Sequence, residues 1–401
     1  MSKLTDKPRI GILFGGRSGE HEVSLLSAAS VLKAIDRSKY DVQLIGIAKD
    51  GRWVTSTDAE RLLEAPKHAE QHLRAGDPEA TASAAVIEHG KAVLLRPVPA
   101  QAEMTGNSLA TLQASAEKSL AVDVIFPVLH GTFGEDGTVQ GLLELADIAY
   151  VGSGVLGSAA GMDKDVMKRL FTAAKLPITK YVSLLRAEWQ KNPRRVTQQV
   201  EATLLYPVFV KPANLGSSVG ISKVHDRKEL GPAIELAASY DRKIVIEQGV
   251  GGKRGKAREL EVAVLGNDDP EASVVGEIIP CKEFYDYDAK YLSEGSEPVI
   301  PAKLTKAETR RVQQMAVAAF RACECSGMAR VDFLMEPGAS TAAKPRRIYI
   351  NEINTLPGFT AISMYPKLWA ASGVAYPKLI DRLIALARER HREKQHTHYT
   401  R

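Results

Sequence analysis

The spacing of apolar positions along the chain changes repeatedly, and each change marks an element. "RIGILFGG", residues 9–16, is an apolar run closed by two glycines, which predicts a strand turning at Gly15 and Gly16. Residues 22–35 carry Leu25, Ala28, Ala29, Leu32 and Ile35 at helical spacing, and "DVQLIGIAK" predicts the next strand. Strand, glycine turn, helix, strand is a βαβ unit and argues for a parallel sheet. The pattern weakens over residues 50–120, where "KAVLLRPV" predicts a strand among short helices. "VDVIFPVLHG" then resumes the parallel pattern, with a strand expected to end at His130. In open α/β sheets, ligands sit at the carboxyl ends of strands.

Further on, "MDKDVMKRLFTAAKL" predicts a helix capped by Asp163, and "ITKYVSL" a short strand. The glycine-rich residues 131–161 before that helix are open to three readings: a phosphate cradle, close packing or a hinge. "YPVFVKPANLGSSVGISKV" reads as strand, Gly/Ser loop, strand, followed by a helix over 230–240 and the strand "KIVIEQGV". The last third offers the strand "ELEVAVLG", a long loop "CKEFYDYDAKYLSEGSE" and an amphipathic helix. That helix has Val312, Met315, Ala316, Ala319, Phe320 and Cys323 on one face. "GMARVDFLM" and "RIYINEINTLPGF" predict paired strands, and residues 376–388 a terminal helix.

Composition narrows the class. A chain of 401 residues is long enough for two or three domains, and its 44% hydrophobic and 25% charged residues are those of a soluble globular protein. The apolar runs are strand-length, short of a membrane span, and the first residues lack a secretory pattern. Cys281, Cys323 and Cys325 form no disulfide framework and no zinc spacing, which suits a reducing, cytoplasmic setting. The net charge of +5 is mild, and much of it sits in the tail "RERHREKQHTHYTR", expected to be a solvated or frayed end. There is no basic stripe interleaved with aromatics, which argues against nucleic-acid binding.

Candidate chemistry gathers in four places. In "KPANLGSSVGI", backbone N–H groups, Ser217 and Ser218 offer donors to phosphate oxygens, with Lys211 as a cation; a plain hairpin turn is the alternative. Asp332 lies mid-strand, while Glu352 and Asn354 are two apart on the next strand and share a face. Two carboxylates and a carboxamide suit a hard divalent ion that also binds phosphates, and Arg330 points to the same side. The tyrosine-rich loop has the makeup of a lid. Glu20, beside the first glycine turn, suits recognition of an ammonium group, while His21 and His130 are either site residues or structural. The glycines of "GGRSGE" lack dinucleotide-binding spacing.

"GGRSGEHEVS", "HGTFGEDGTVQGLLE", "MDK", "KPANLGSSVG", "FYDYDAKY", "ARVDF" and "NEINTLPGF" occur in this order, and the set resembles D-alanine–D-alanine ligases of the ATP-grasp superfamily. The resemblance spans residues 9–388. It implies an α/β ATP-grasp fold: an N-terminal parallel-sheet α/β domain (1–150), a central ATP-grasp lid domain (151–241) and a C-terminal catalytic and metal-binding domain (242–401). The last two would be α+β domains clamping the nucleotide. The implied reaction uses ATP to phosphorylate one D-alanine, whose acyl phosphate is attacked by the amine of a second. Another ATP-dependent carboxylate–amine ligase would keep Lys211, Asp332, Glu352 and Asn354 but need not carry Glu20 or Tyr291. A non-catalytic ATP-binding protein should have lost a metal ligand or Arg330.

By the resemblance, Glu20 would hold the first ammonium, linked to Ser217 and Tyr291, with His130 nearby. Arg330 and the N–H of Gly358 would form the oxyanion site, with Ser363 and Met364 at the second carboxylate. Lys164, Lys211 and Ser218 would contact ATP phosphates, and Lys290 the transferred phosphoryl group. Asp332, Glu352 and Asn354 would bind two Mg²⁺ or Mn²⁺ ions, with Asn351 beside the nucleotide. Adenine would lie against Phe284, Leu334 and the backbone of Glu247, Gln248 and Val250, and Glu259 would reach the ribose. Tyr291 marks the dipeptide-forming type, and the family implies a homodimer through the first domain. The extra length before Leu120 and the tail after Arg388 depart from shorter members.

Overall fold

The computed structural model describes residues 7–64, 122–251, 255–279, 297–339 and 345–398, which form three sheets with helices packed on them. Calls on "KAVLLRPV", Cys281, Phe284, Lys290 and Tyr291 lie outside these residues. The first sheet contains β1 (Arg9–Gly15), β2 (Asp41–Ile47), β3 (Trp53–Thr55), β4 (Val124–Pro127) and β5 (Ala149–Tyr150), ordered β3-β2-β1-β4-β5. Its pairs are parallel except for β2–β3. The predicted βαβ unit is present, with α1 (His21–Ala34) between β1 and β2. Its buried stripe runs through Val23, Leu25, Ala28 and Val31, whereas Ala29, expected on that face, is exposed.

Serines complete the stripe. Ser24 accepts the Gly15 N–H at 2.7 Å and donates to the Val128 carbonyl at 2.5 Å, tying the carboxyl ends of β1 and β4 together. Strand β4 ends at Pro127, three residues before the expected His130. Its neighbour β1 turns left-handed at Gly15 (φ 92°), so no extended partner continues beside it.

Residues 131–161, which the resemblance implies to be a substrate-side loop and a passage between domains, keep a loop at 131–137 beside Glu20 but also form helices. After α2 (Ser56–Glu64), the chain forms α3 (Thr138–Leu145), α4 (Val155–Met162) and α5 (Lys164–Ala173). Glycine's low helix propensity hides α3 and α4 from a propensity reading, and on α4 packing overrides it. A Cβ on Gly157 would stand 2.5 Å from the Glu324 carbonyl oxygen, and one on Gly161 2.8 Å from Thr355 Cγ2. Those glycines therefore serve close packing. Asp163 caps α5 as predicted, accepting the N–H groups of Asp165 and Val166.

The second sheet contains β6 (Tyr181–Leu185), β7 (Val208–Pro212), β8 (Ser222–Val224) and β9 (Lys243–Gln248), ordered β6-β9-β7-β8 and antiparallel throughout. Strand β9 extends this sheet past residue 241 to Gln248. The charged stretch after β6 folds into α6 (Arg186–Lys191) and α7 (Pro193–Thr203); α8 (Arg227–Tyr240) follows β8. Val208, Val210, Ile244 and Ile246 share one core with Val196, Val200 and Leu230.

The third sheet runs β12-β11-β10-β13-β14. It comprises β10 (Arg258–Gly266), β11 (Glu271–Ile279), β12 (Glu297–Val299), β13 (Gly327–Met335) and β14 (Ile348–Asn354). The strands predicted from "GMARVDFLM" and "RIYINEIN" pair antiparallel. Helix α9 (Lys306–Ala322) buries all six predicted positions against this sheet. Burial of each large aliphatic or aromatic group contributes about 1.5–3 kcal/mol. Helices α10 (Met364–Ala371) and α11 (Tyr376–Lys394) complete the chain, and none of the described helices is long and apolar enough to cross a membrane.

The charged tail is not frayed over its described part. Arg390 stacks on the Tyr150 ring at 4.3 Å and donates to the Gly152 and Tyr150 carbonyls, Lys394 pairs with Glu144, and Gln395 donates to Asp147 at 2.7 Å. Carbonyls of Tyr150 and Gly152, with acids on and just after α3, account for the basic run, which fastens α11 to the first sheet.

Candidate active site

Strand pairing brings β10, β13 and β14 into register. Glu261 lies opposite Asp332, and Asp332 opposite Glu352, while Arg330 lies opposite Asn354. The spacing "IYINEIN" departs from strict alternation between Asn351 and Glu352, and the ladder shifts register there. Asn351 is thereby turned toward the second sheet, where its Oδ1 accepts from Lys211 Nζ at 3.5 Å. Arg330 grips Asp332 through Nε at 2.7 Å and Nη2 at 2.6 Å, and its Nε lies 3.2 Å from Glu261. Asn354 Nδ2 donates to Asp332 Oδ2 at 3.0 Å. Burial opposes charge on Arg330, but Asp332 and Glu261 outweigh it and hold the guanidinium firmly protonated.

Glu20 begins α1 and is buried. Ser217 donates to its Oε1 from the loop between β7 and β8, where Ser217 (φ 48°) and Ser218 (φ 60°) are both left-handed. The carboxylate fits between two glycines. A Cβ on Gly131 would lie 2.5 Å from Glu20 Oε2, and one on Gly216 2.8 Å from the same atom. The Gly131 N–H donates to Glu135 Oε2 at 3.3 Å, and burial together with the Glu20 charge pushes the Glu135 carboxyl well above its usual range. Glu135 was not singled out from the sequence, although it stands inside the quoted "HGTFGEDG".

His130 lies behind this group, with both ring nitrogens occupied. Nδ1 is 3.2 Å from the Leu356 carbonyl, which can only accept, so Nδ1 carries the proton and Nε2 accepts from the Ser27 hydroxyl at 2.9 Å. Ser27 Oγ in turn accepts the Phe359 N–H at 3.4 Å. Burial pulls the imidazole below its ordinary pKa and keeps it neutral. His130 thus braces the loop carrying Gly358, whose Cβ position would lie 2.7 Å from Ser363 Oγ at the start of α10. His21 is structural: its Nδ1 meets the Gly16 carbonyl at 2.8 Å.

The second sheet carries Lys211 and Glu247 on adjacent strands, 3.2 Å apart. Lys164 donates to the Leu215 carbonyl at 2.7 Å and so fixes the root of the Ser217 loop. The Gln248 side chain accepts the Leu205 N–H at 3.1 Å, and its own N–H donates to the Lys180 carbonyl at 3.0 Å. Leu334 and Glu259 face each other across β10 and β13, both partly buried, and Val250 follows β9.

Sequence reading missed Lys168, whose ammonium is fully buried 3.1 Å from Glu247. The signal was its place on the apolar stripe of α5, between Lys164 and Phe171. It also missed Glu261, Ser27 and Thr179; Thr179 donates to Glu247 at 3.5 Å.

The donor set suits a hard divalent cation. Asp332 and Glu352 face each other, and Asn354 adds an amide; the Arg330 guanidinium on Asp332 shows that this face accepts positive charge. Among the described residues, no cluster of three or more His, Cys, Asp or Glu forms a complete metal cage.

Two family descriptions match: "D-ala D-ala ligase N-terminus" over residues 9–153 and "D-ala D-ala ligase C-terminus" over residues 170–385. A D-alanine–D-alanine ligase of Chloroherpeton thalassium is 48% identical over 398 residues, 97% of this chain and 99% of its own. One from Bacillus cytotoxicus is 47% identical over 395 residues, covering 98% of this chain and 99% of its own. Among solved structures, the D-alanine–D-alanine ligase of Coxiella burnetii superposes with a TM-score of 0.74 at 34% identity, covering 97% of this chain and 96% of its own. The VanG D-Ala:D-Ser ligase of Enterococcus faecalis gives 0.75 at 34% identity, covering 95% and 99%.

Proposed function

The chain belongs to the D-alanine–D-alanine ligase family, and we propose that its cleft joins two D-alanines through a D-alanyl phosphate, with the residues around Glu20 and Arg330 in the roles below. The activity is ATP-dependent ligation of two D-alanines to D-alanyl-D-alanine for peptidoglycan precursors. The observation that carries the reading is the Ser217–Glu20 contact, which sets an anionic group for the first ammonium beside the phosphate-side loop.

Glu20 and Ser217, with Tyr291, hold the first D-alanine so that a carboxylate oxygen meets the γ-phosphorus of ATP. Lys164, Lys211, Ser218 and Lys290 neutralise phosphate charge, while Glu259, Leu334, Phe284, Asn351 and the backbone of Glu247–Val250 seat the nucleoside. Asp332, Glu352 and Asn354 would hold two Mg²⁺ or Mn²⁺ ions, which would supply charge neutralisation on the phosphates. The second amine attacks the acyl carbon, and Arg330 with the Gly358 N–H stabilises the resulting oxyanion. Ser363 and Met364, at the start of α10, receive the second carboxylate at a helix N-terminus. The C–O bond to phosphate then breaks, phosphate leaves with the original carboxylate oxygen, and the amide remains.

The division 1–150, 151–241 and 242–401 describes the substrate-side, lid and catalytic parts, with the lid sheet completed by β9. The assembly is a homodimer through the first domain, supported by Leu142 and Leu145, which are 43% and 88% exposed on α3. Phosphate release with ATP and Mg²⁺ across D-alanine, D-serine and D-lactate tests the assignment. Release that depends on D-serine or D-lactate but not on D-alanine would overturn it.

A further inference from the structure

Two lysines share one carboxylate in the interior of the second sheet. Glu247 Oε1 lies 3.1 Å from Lys168 Nζ, and its Oε2 lies 3.2 Å from Lys211 Nζ. The exposures of the three side chains are 0% for Lys168, 4% for Glu247 and 10% for Lys211. We propose that Lys168 is a positioning residue for nucleotide binding: it keeps Glu247 paired so that Lys211 can leave for the ATP phosphates. This rests on the ATP-site reading above.

The two lysines are not equivalent. Lys168 sits on α5 between Met167 and Phe171, both fully buried, with its ammonium 5.8 Å from the Tyr181 ring. It has nowhere to go. Lys211 lies at the cleft end of β7 and already reaches Asn351 on β14 at 3.5 Å. It is the cation with a path to a ligand.

Charge conservation makes the pair useful. A buried carboxylate that loses its only cation is strongly unfavourable, whereas one that loses one of two stays neutralised. Burial opposes ionisation of Glu247, but Lys168 and Lys211 together outweigh it and keep its carboxyl below the usual range. Burial also lowers the Lys168 pKa, with Glu247 pulling the other way. Glu352 also acts on Lys168 from a distance and favours its charge. Lys168 Nζ and Glu247 Oε1 are within ion-pair distance but not aligned for a hydrogen bond, so the pair can tighten as Lys211 departs.

The test is a nucleotide ladder. Binding of adenosine, AMP, ADP and non-hydrolysable Mg²⁺–ATP analogue is measured calorimetrically for the wild type, K168M, E247Q and K168M/E247Q. K168M should weaken the triphosphate about tenfold or more while adenosine changes less than about twofold, because only the phosphates need Lys211. On the E247Q background, where no carboxylate holds Lys211, K168M should have no triphosphate-specific cost. K168R should restore the wild-type ladder. Equal loss for adenosine and triphosphate in K168M, no loss at all, or the same triphosphate cost on both backgrounds would overturn the proposal. Should K168M not fold, the double variant against E247Q, together with K168R, reads the same coupling. A wild-type ladder with no gain from AMP to the triphosphate would instead overturn the ATP-site reading.

Discussion

The hydroxyl of Ser217, on the loop of the second sheet, donates to the carboxylate of Glu20 at the start of the first helix. This contact joins a substrate-recognition group to the loop assigned to phosphate. Glu20→Gln should reduce kcat/KM for D-alanine about ten- to a hundredfold, the worth of a charge-assisted hydrogen bond, with nucleotide affinity little changed. Steady-state kinetics with a separate nucleotide titration checks this; matching losses in both would refute the assigned role.

Glycine at position 216 is demanded by the same carboxylate. Gly216→Ala would place a methyl group 2.8 Å from Glu20 Oε2 in the wild-type geometry, so Glu20 must move. The expected outcome is a D-alanine KM raised by about tenfold with thermal stability nearly intact, since the loop is partly exposed. A variant with unchanged KM would mean that the carboxylate position is not critical.

His130 gives a pH dependence with a definite sign. Its folded pKa lies below the ordinary value of about 6.5 because it is buried. Below that pH the unfolded chain binds a proton that the folded chain resists, so stability falls as pH drops from about 6.5 toward the folded pKa. His130→Gln should show a smaller stability difference between about pH 7.5 and about pH 5.5 than the wild type in urea unfolding. An identical difference would remove His130 as the source.

The fastening of α11 is open to a similar check. Arg390→Ala removes a stacked guanidinium 4.3 Å from the Tyr150 ring and its bonds to two carbonyls. Unfolding free energy should fall by about 1–3 kcal/mol in denaturant titrations. A change within error would return the basic run to a solvated tail.

Most of the architecture was legible because strands and helices with one buried face carry their period in the sequence. Leu25 and Ala28 on α1, and Val312 to Cys323 on α9, are such cases. Helix α4 was hidden because its glycines serve contacts with Glu324 and Thr355, distant in sequence. Glu352 and Asn354 could be placed on one face by strand alternation, whereas Asp332 opposite Glu352 and the register shift that turns Asn351 toward Lys211 depend on pairing. Lys168 and Ser27 look like ordinary helix residues until the fold shows what they touch. The docking of Arg390 on Tyr150 likewise depends on a contact between residues 240 positions apart.

The central claim is that a carboxylate oxygen of the first D-alanine is phosphorylated before the amide forms. D-alanine labelled with ¹⁸O in its carboxylate, incubated with ATP and Mg²⁺, tests this by mass spectrometry of both products. The account predicts D-alanyl-D-alanine together with phosphate carrying one labelled oxygen per molecule formed. Dipeptide accompanied by unlabelled phosphate would contradict it.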